Sequence, residues 1–335
     1  MSLSPISQTP QEKAATRAAA KAARSALEKV QSSDPRVGVI GSLNADITVT
    51  TRHLPLPGET VVGDPLVVRP GGKSANQAAA CALAGATVVM VGAVGDDAYG
   101  KLLRESLETS GVDTGFVRTS EVATGTAVIT VDSQGENTIV VSAGANGTLD
   151  LGDVQAAQQA LRQVSVLGLC LEVGDAALLA AQQVVVEAGG TTVLNVSPLR
   201  DVDPVLIDNA QVLIVNEHEL AAVVGSESGS EPMAIAAALE KRGINRAVVT
   251  LGSHGSVAVE AGRVVALPAF PVRSLDTTGA GDAFMGTLMA AIAADAPLGE
   301  GAALASAFAA IATTRAGAQA SYPTVSELSE YLTQF

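Results

Sequence analysis

The sequence predicts an α/β fold: a doubly wound, mostly parallel sheet flanked by helices, with a small β-sheet lid. Three observations carry this. Short apolar runs recur along the chain: "VGVIG" at 37, "TVVMVG" at 87, "VLGLCLE" at 166, "TVLNV" at 192, "VLIVN" at 212 and "AVVTLG" at 247. They are unbroken rather than alternating, as strands buried on both faces should be. Helical patterns near 76–85, 98–110, 175–188 and 231–242 fall between them, and strand–helix alternation is the signature of parallel pairing. Two stretches break the rhythm, 46–69 and 124–141. Both read as extended hairpins, the second turning at Gly135, and together they predict the lid.

Of 335 residues, 47% are apolar but only 2% aromatic. A sizeable core is expected, built from Ala, Val and Leu. The formal net charge of -14 argues against a nucleic-acid or anionic-membrane partner. Cys81 and Cys170 cannot frame a disulfide scaffold or a zinc site, which fits a reducing compartment. Without an apolar run long enough for a membrane span or a secretory core, the expected address is the cytoplasm. Residues 1–35 stand apart from the remainder, 36–335. They are Ala-rich and helix-favouring, with Lys13, Arg17, Lys21 and Arg24 on one face. The opposite Ala face predicts little burial, so the segment reads as a solvated, fraying helical extension. A targeting or partner-binding helix is the alternative; Glu12 and Glu28 count against a transit peptide.

The strongest motif is "DTTGAGDAFMG", 276–286. Gly279 and Gly281 allow a tight backbone path, and Asp282 opens a helix marked by Phe284, Leu288 and Ile292. Amides at a helix start attract anions, so a carboxylate among them can act as a base beside a phosphoryl group. An Asp used only as a helix N-cap is the plain alternative, but it leaves two glycines and two threonines unexplained. "RPGGKSANQAAA" (69–80) contains the Gly-Lys-Ser tail of a phosphate loop, yet Val67 stands where that loop needs Gly and Pro70 withholds an amide. "GSLNAD" follows the first apolar run. Its Asn44 and Asp46 leave the carboxyl end of a strand, where α/β sheets bind ligands, and they suit vicinal hydroxyls.

Together with "PGETV", "GDDAYG", "GENTIVVSAGAN", "VNEHE", "TLGSHG" and "TRAGAQAS", these segments resemble the ribokinase-like (PfkB-type) sugar kinases from about Val37 to Ser321. The resemblance implies ATP-dependent phosphorylation of a small sugar, D-ribose at its 5-hydroxyl, and puts Gly72-Lys73 in the sugar pocket. It implies sugar contacts from Asn44, Ala45, Asp46, Gly72, Lys73, Ser74, Ala75, Asn76 and Glu172. Asp282 would be the base, with Gly279, Ala280 and Gly281 around an anion hole formed by the backbone at Ala280 and Gly281. Asn216, Thr250, Leu251, Gly252, Ser253, His254, Gly255, Gly281 and Ser306 would meet ATP. Glu219 would organise Mg²⁺ through water. Asp276, Thr278, Ala312, Arg315, Gly317 and Ser321 would surround an activating K⁺. The lid would also form a homodimer interface.

Three positions depart from the family pattern: Ser74 replaces a usual Gly, "LNVSP" (194–198) replaces "LNPAP", and Ser306 is smaller than usual. The first bears on which sugar fits and the third on adenine recognition. His53, His218 and His254 are scattered and imply no metal site. Asn195 ends a strand, either to reach phosphate or magnesium or to close a turn. Other readings are a kinase of deoxyribose, fructose or a nucleoside, and a non-catalytic sugar sensor. Asp282 with its glycines speaks against the sensor, and scarce aromatics speak against a nucleoside.

Overall fold

A computed structural model describes residues 8–226 and 229–335. The strands are β1 Arg36–Ile40, β2 Asn44–Thr50, β3 Val67–Gly71, β4 Thr87–Gly95, β5 Val112–Ser120, β6 Gly125–Val131, β7 Asn137–Ser142, β8 Val166–Cys170, β9 Thr191–Asn195, β10 Val212–Asn216, β11 Arg246–Thr250, β12 Ser256–Glu260 and β13 Arg263–Leu267. The helices are α1 Pro10–Ser32, α2 Lys73–Leu83, α3 Ala98–Thr109, α4 Leu151–Leu161, α5 Asp175–Glu187, α6 Pro204–Asp208, α7 Glu217–Val224, α8 Pro232–Lys241, α9 Ala280–Ala293, α10 Leu298–Ala312 and α11 Val325–Leu332.

Nine strands form the main sheet in the order β13-β12-β11-β10-β9-β8-β1-β4-β5. The seven from β11 to β5 pair in parallel, while β12 and β13 close one edge antiparallel. Successive residues of β1 feed different cores: Val37 and Val39 join one with α2, α9 and α10, and Ile40 joins the other with α4 and α5. Alternate side chains on opposite faces explain why the strand runs are apolar without a break. From β1 the chain winds one way to β4 and β5, and from β8 the other way to β11. The switch point, where such sheets bind ligands, lies beyond the carboxyl ends of β1 and β8.

The expected lid is a second sheet, β3-β2-β6-β7, in which each hairpin is antiparallel and β2 pairs β6 in parallel. The second hairpin turns at Gly135, as expected, where Asp132 Oδ1 accepts from the amides of Gln134 and Glu136.

The expectation of a solvated, fraying helix at the N-terminus does not hold for α1. Ala19, Ala20, Ala23, Ala26, Leu27 and Val30 are buried in the same core as α10, which presents Ala302, Ala303 and Ala305. Two small-residue faces let the backbones approach closely, so an Ala stripe buries well when its partner is also Ala. Ser25 Oγ donates to Glu300 at 2.9 Å, Arg24 donates to the Leu332 carbonyl, and a Thr9–Glu12 capping box closes the helix start. No helix among the described residues is long and apolar enough to cross a membrane.

Candidate active site

The site begins where β1 ends. The turn 41–43 leads into β2, and α2 starts opposite it. Gly72, with φ 89°, makes this possible: a Cβ there would lie 2.7 Å from the Asn44 amide and 2.9 Å from Leu43 Cα. The turn, α2 and the end of β8 are knotted by one carboxylate. Glu172 Oε2 accepts from Ser42 Oγ and, at 3.0 Å, from the Lys73 amide. Glu172 thus lies just past β8, at the switch point.

Asn44 is fixed from the lid side. Asn146 Nδ2 donates to Asn44 Oδ1 at 2.7 Å and to the Leu43 carbonyl at 3.0 Å, and Asn146 Oδ1 accepts from the Leu43 amide at 2.9 Å. This leaves the Asn44 NH₂ as the group available to a ligand. Asp46, two residues on, projects from the same face of β2. Burial, then the negative charges of Glu172 and Asp282, push its carboxyl up to about 7. Burial also acts against the charge of Lys73, but chiefly Asp282 and Glu172 outweigh it and hold the ammonium above its usual range.

Asp282 stands in the first turn of α9, close against α2. Gly286 sets that closeness, since a Cβ there would meet the Gln77 carbonyl at 2.3 Å. Asn76 Nδ2 and Gln77 Nε2 donate to the two oxygens of Asp282 at 3.0 and 3.1 Å. Gln319 donates to Asn76 Oδ1 at 3.0 Å and locks that amide. Burial raises the Asp282 carboxyl, while Lys73 and the two amides pull it back. Asp282 is not an N-cap: that place belongs to Gly279, in the left-handed region at φ 73°, whose carbonyl accepts from Tyr322 at 3.0 Å.

The amides expected around the anion hole, those of Ala280 and Gly281, differ in their bonding. The Ala280 amide donates to the Thr277 carbonyl at 3.1 Å and is committed, whereas those of Gly281 and Asp282 have no partner among the described residues. Gly281 also lines a cavity of about 740 Å³. Thr250, Gly252, Ser253, His254 and Gly255 line one side, and Ser306 of α10 lines another. Leu251 is buried and is not part of that lining. Asn216 lies outside it too. It caps α7, its Oδ1 accepting from the Glu219 amide while Glu219 Oε2 accepts from the Asn216 amide, both at 2.8 Å. Glu219 is thereby held nine-tenths buried within the field of Lys73. One of its oxygens remains for a hydrated Mg²⁺.

Three expected sugar contacts turn elsewhere. Ser74 is fully buried, its Oγ 2.9 Å from Cys170 Sγ. Ala45 and Ala75 bury their methyl groups, and the Ala75 amide donates to the Ser42 carbonyl at 3.0 Å. Asn195 closes a strand, donating to the Ile214 carbonyl at 3.2 Å. Cys170, its thiol pushed up to about 12 by burial and the neighbouring Glu172, stays protonated.

The region expected to hold K⁺ comes together from two loops. Asp276 accepts from the Thr278 amide at 2.9 Å and the Gly317 amide at 2.8 Å. Burial works against its charge, yet these bonds and Arg69 hold the carboxyl below its usual range. The Arg315 guanidinium pairs with Glu327, Ser321 Oγ donates to the Ala318 carbonyl, and the Ala312 carbonyl accepts from the Arg315 amide. The donor set is carboxylate, carbonyl and hydroxyl oxygen, which fits a hard cation. Asn146, Gln77 and Gln319 were not expected. Each lies inside a motif-bearing segment, but an amide carries no chemical signature of its own, and their roles arise only when distant segments pack.

The sequence model of the pfkB family carbohydrate kinases matches residues 34–325. A ribokinase of Haemophilus influenzae is 34% identical over 297 residues, covering 88% of this chain and 97% of its own. A deoxyribokinase of Salmonella typhi is 32% identical over 300 residues, covering 88% and 98%. The solved structure of Arabidopsis thaliana ribokinase complexed with ribose and ATP superposes with a TM-score of 0.83 at 30% identity, covering 90% of this chain and 99% of that one. With its doubly wound sheet, its four-stranded lid and Asp282 at the start of α9, the chain belongs to the pfkB family of carbohydrate kinases.

Proposed function

We propose that this enzyme transfers the γ-phosphoryl group of ATP to the 5-hydroxyl of D-ribose, giving D-ribose 5-phosphate and ADP. The observation that carries the reading is the position of Asp282. Its carboxylate meets the polar cluster of α2, while its neighbour Gly281 lines the large cavity. Asp282 takes the proton of the attacking hydroxyl. The unpartnered amides of Gly281 and Asp282 then face the charge that develops on the transferring group. The Asn44 amide, Asp46, Lys73 and Glu172 hold the other hydroxyls, and Asn76 positions the base. Positioning and electrostatics supply most of the catalysis in phosphoryl transfer.

Mg²⁺, with Glu219 organising its water, and K⁺, beside Asp276, would supply positive charge around the phosphates. Initial rates with ribose, 2-deoxyribose and fructose, each with ATP and Mg²⁺, test the reading. Ribose should have the highest kcat/KM. A higher value for deoxyribose would move the enzyme to the activity named for the Salmonella typhi relative. Potassium should raise turnover over a tetramethylammonium buffer, and equal rates would remove the cation from the account.

A homodimer through the lid completes the proposal. Val68, Ile47, Val128 and Val140 are in register across all four lid strands, on the face opposite Asp46. Val128 and Val140 are 48% and 69% exposed. Such an apolar row on a free sheet face asks for a cover.

A further inference from the structure

The family match begins at residue 34, yet three residues ahead of it, Gln8, Glu12 and Thr16, line the cavity that also receives Gly281 and Ser306. The helix runs antiparallel to α10. Ser25 meets Glu300 near the start of α10, and the first turns of α1 share the cavity with Ser306 and Ala310 near its end. We infer that α1 forms the base-side wall of the nucleotide site and that Gln8 selects adenine by accepting from its exocyclic amine. This rests on the reading of the cavity as the nucleotide site.

Charge and bonding both assign the base to this end. The phosphates belong at the free amides of α9. The wall from α1 brings a carboxylate, a hydroxyl and a carboxamide but no cation, because Lys13 and Arg17 are exposed and do not line the cavity. Phe270, Ala309 and Ala310 add apolar surface suited to a flat ring. The polar chain in the wall has one open end. Thr16 Oγ1 donates to the Glu12 carbonyl at 2.9 Å and so accepts from Gln8 Nε2 at 3.1 Å. That bond orients the Gln8 amide and leaves its oxygen without a partner among the described residues. An acceptor there matches the amino group of adenine and repels the ring carbonyl of guanine.

The test uses the full chain. KM for ATP and for GTP is measured at saturating ribose in wild type, Gln8→Ala and Arg17→Ala, with calorimetric binding of a non-hydrolysable analogue of each nucleotide. Gln8 precedes the helix and makes one side-chain bond among the described residues, so Gln8→Ala should melt as wild type does. Loss of one neutral hydrogen bond should raise the ATP KM and the analogue Kd about two- to tenfold. The GTP KM should hold or fall as the repulsion is relieved, kcat and the ribose KM should not move, and Arg17→Ala should match wild type. An ATP KM and Kd within twofold of wild type, or equal shifts for ATP and GTP, overturns the inference. A wild-type enzyme that transfers nothing from ATP overturns the kinase reading beneath it, a result distinct from an active enzyme indifferent to Gln8.

Discussion

The two halves of the proposed active site are built on different plans. On the proposed sugar side polar side chains are tied to fixed partners: Asn44 to Asn146, Glu172 to Ser42 and the Lys73 amide, Asp282 to Asn76 and Gln77, Asn76 to Gln319. On the nucleotide side a cavity of about 740 Å³ is walled by a loop, small residues of α10 and the start of α1. A small polyol offers only hydroxyls, so it must meet donors and acceptors that are already fixed; an unmatched buried group costs more than a made bond gains. A nucleotide offers a flat ring and phosphates, which shape and free amides accommodate. The prediction is that damage to the sugar half is steep and cooperative, and damage to the nucleotide half is graded.

The steepest effect should come from Asp282→Asn, which keeps the side chain's shape and one of its two accepted bonds, sets an NH₂ against the other donor, and removes the base. Turnover should fall about 10²–10⁴-fold with ribose binding by calorimetry largely kept. Near wild-type kcat would mean that another group takes the proton.

Asn146→Ala should come next. It leaves the Leu43 amide and carbonyl and Asn44 Oδ1 without their partner in a buried place. A loss of about 1–3 kcal/mol in urea unfolding is expected, with a raised ribose KM and an unchanged ATP KM. Equal shifts for both substrates would erase the contrast between the halves.

Asp46 sharpens the contrast through pH. With its carboxyl raised to about 7, it is ionised and able to accept from two hydroxyls only above that pH. Ribose affinity should therefore weaken up to about tenfold per unit as pH falls below 7, and Asp46→Asn should lose most of that slope. The stability sign is opposite. The unfolded residue ionises near the ordinary 3.8 and the folded one near 7, so this group's contribution falls as pH rises through that window. Asp46→Asn should accordingly melt higher than wild type at pH 8. A lower melting temperature there would contradict the raised carboxyl.

The smallest effect is Ser74→Gly. Because Ser74 faces Cys170 rather than the cleft, the ranking of ribose, deoxyribose and fructose should not change. The helix should lose about 0.5–1 kcal/mol from glycine near its start.

The same contrast governs what was legible beforehand. α2, α3, α5 and α8 lie where their periodicity placed them, and the lid hairpins announced themselves by lacking helices. Asp282 stood out as a carboxylate beside two glycines and Asp46 as a partner of Asn44 at a strand end, while Lys73 and Glu172 were legible only through the resemblance to the family. Asn146, Gln77 and Gln319 did not, because their work is to hold other side chains and depends on packing between remote segments. The hairpin β12–β13, two five-residue strands, was not among the expected runs. α1 was misjudged because an alanine face has little hydrophobic contrast, and its burial depends on an equally small-faced α10 nearly three hundred residues away.

Catalysis here turns on a carbohydrate hydroxyl reacting at Asp282, and the most direct measurement is the structure of the product. Ribose, ATP and Mg²⁺ incubated with the enzyme and followed by phosphorus and carbon NMR should yield ADP and one sugar phosphate, coupled to carbon 5. Phosphate on carbon 1, or ATP consumed without any phosphorylated ribose, would contradict it.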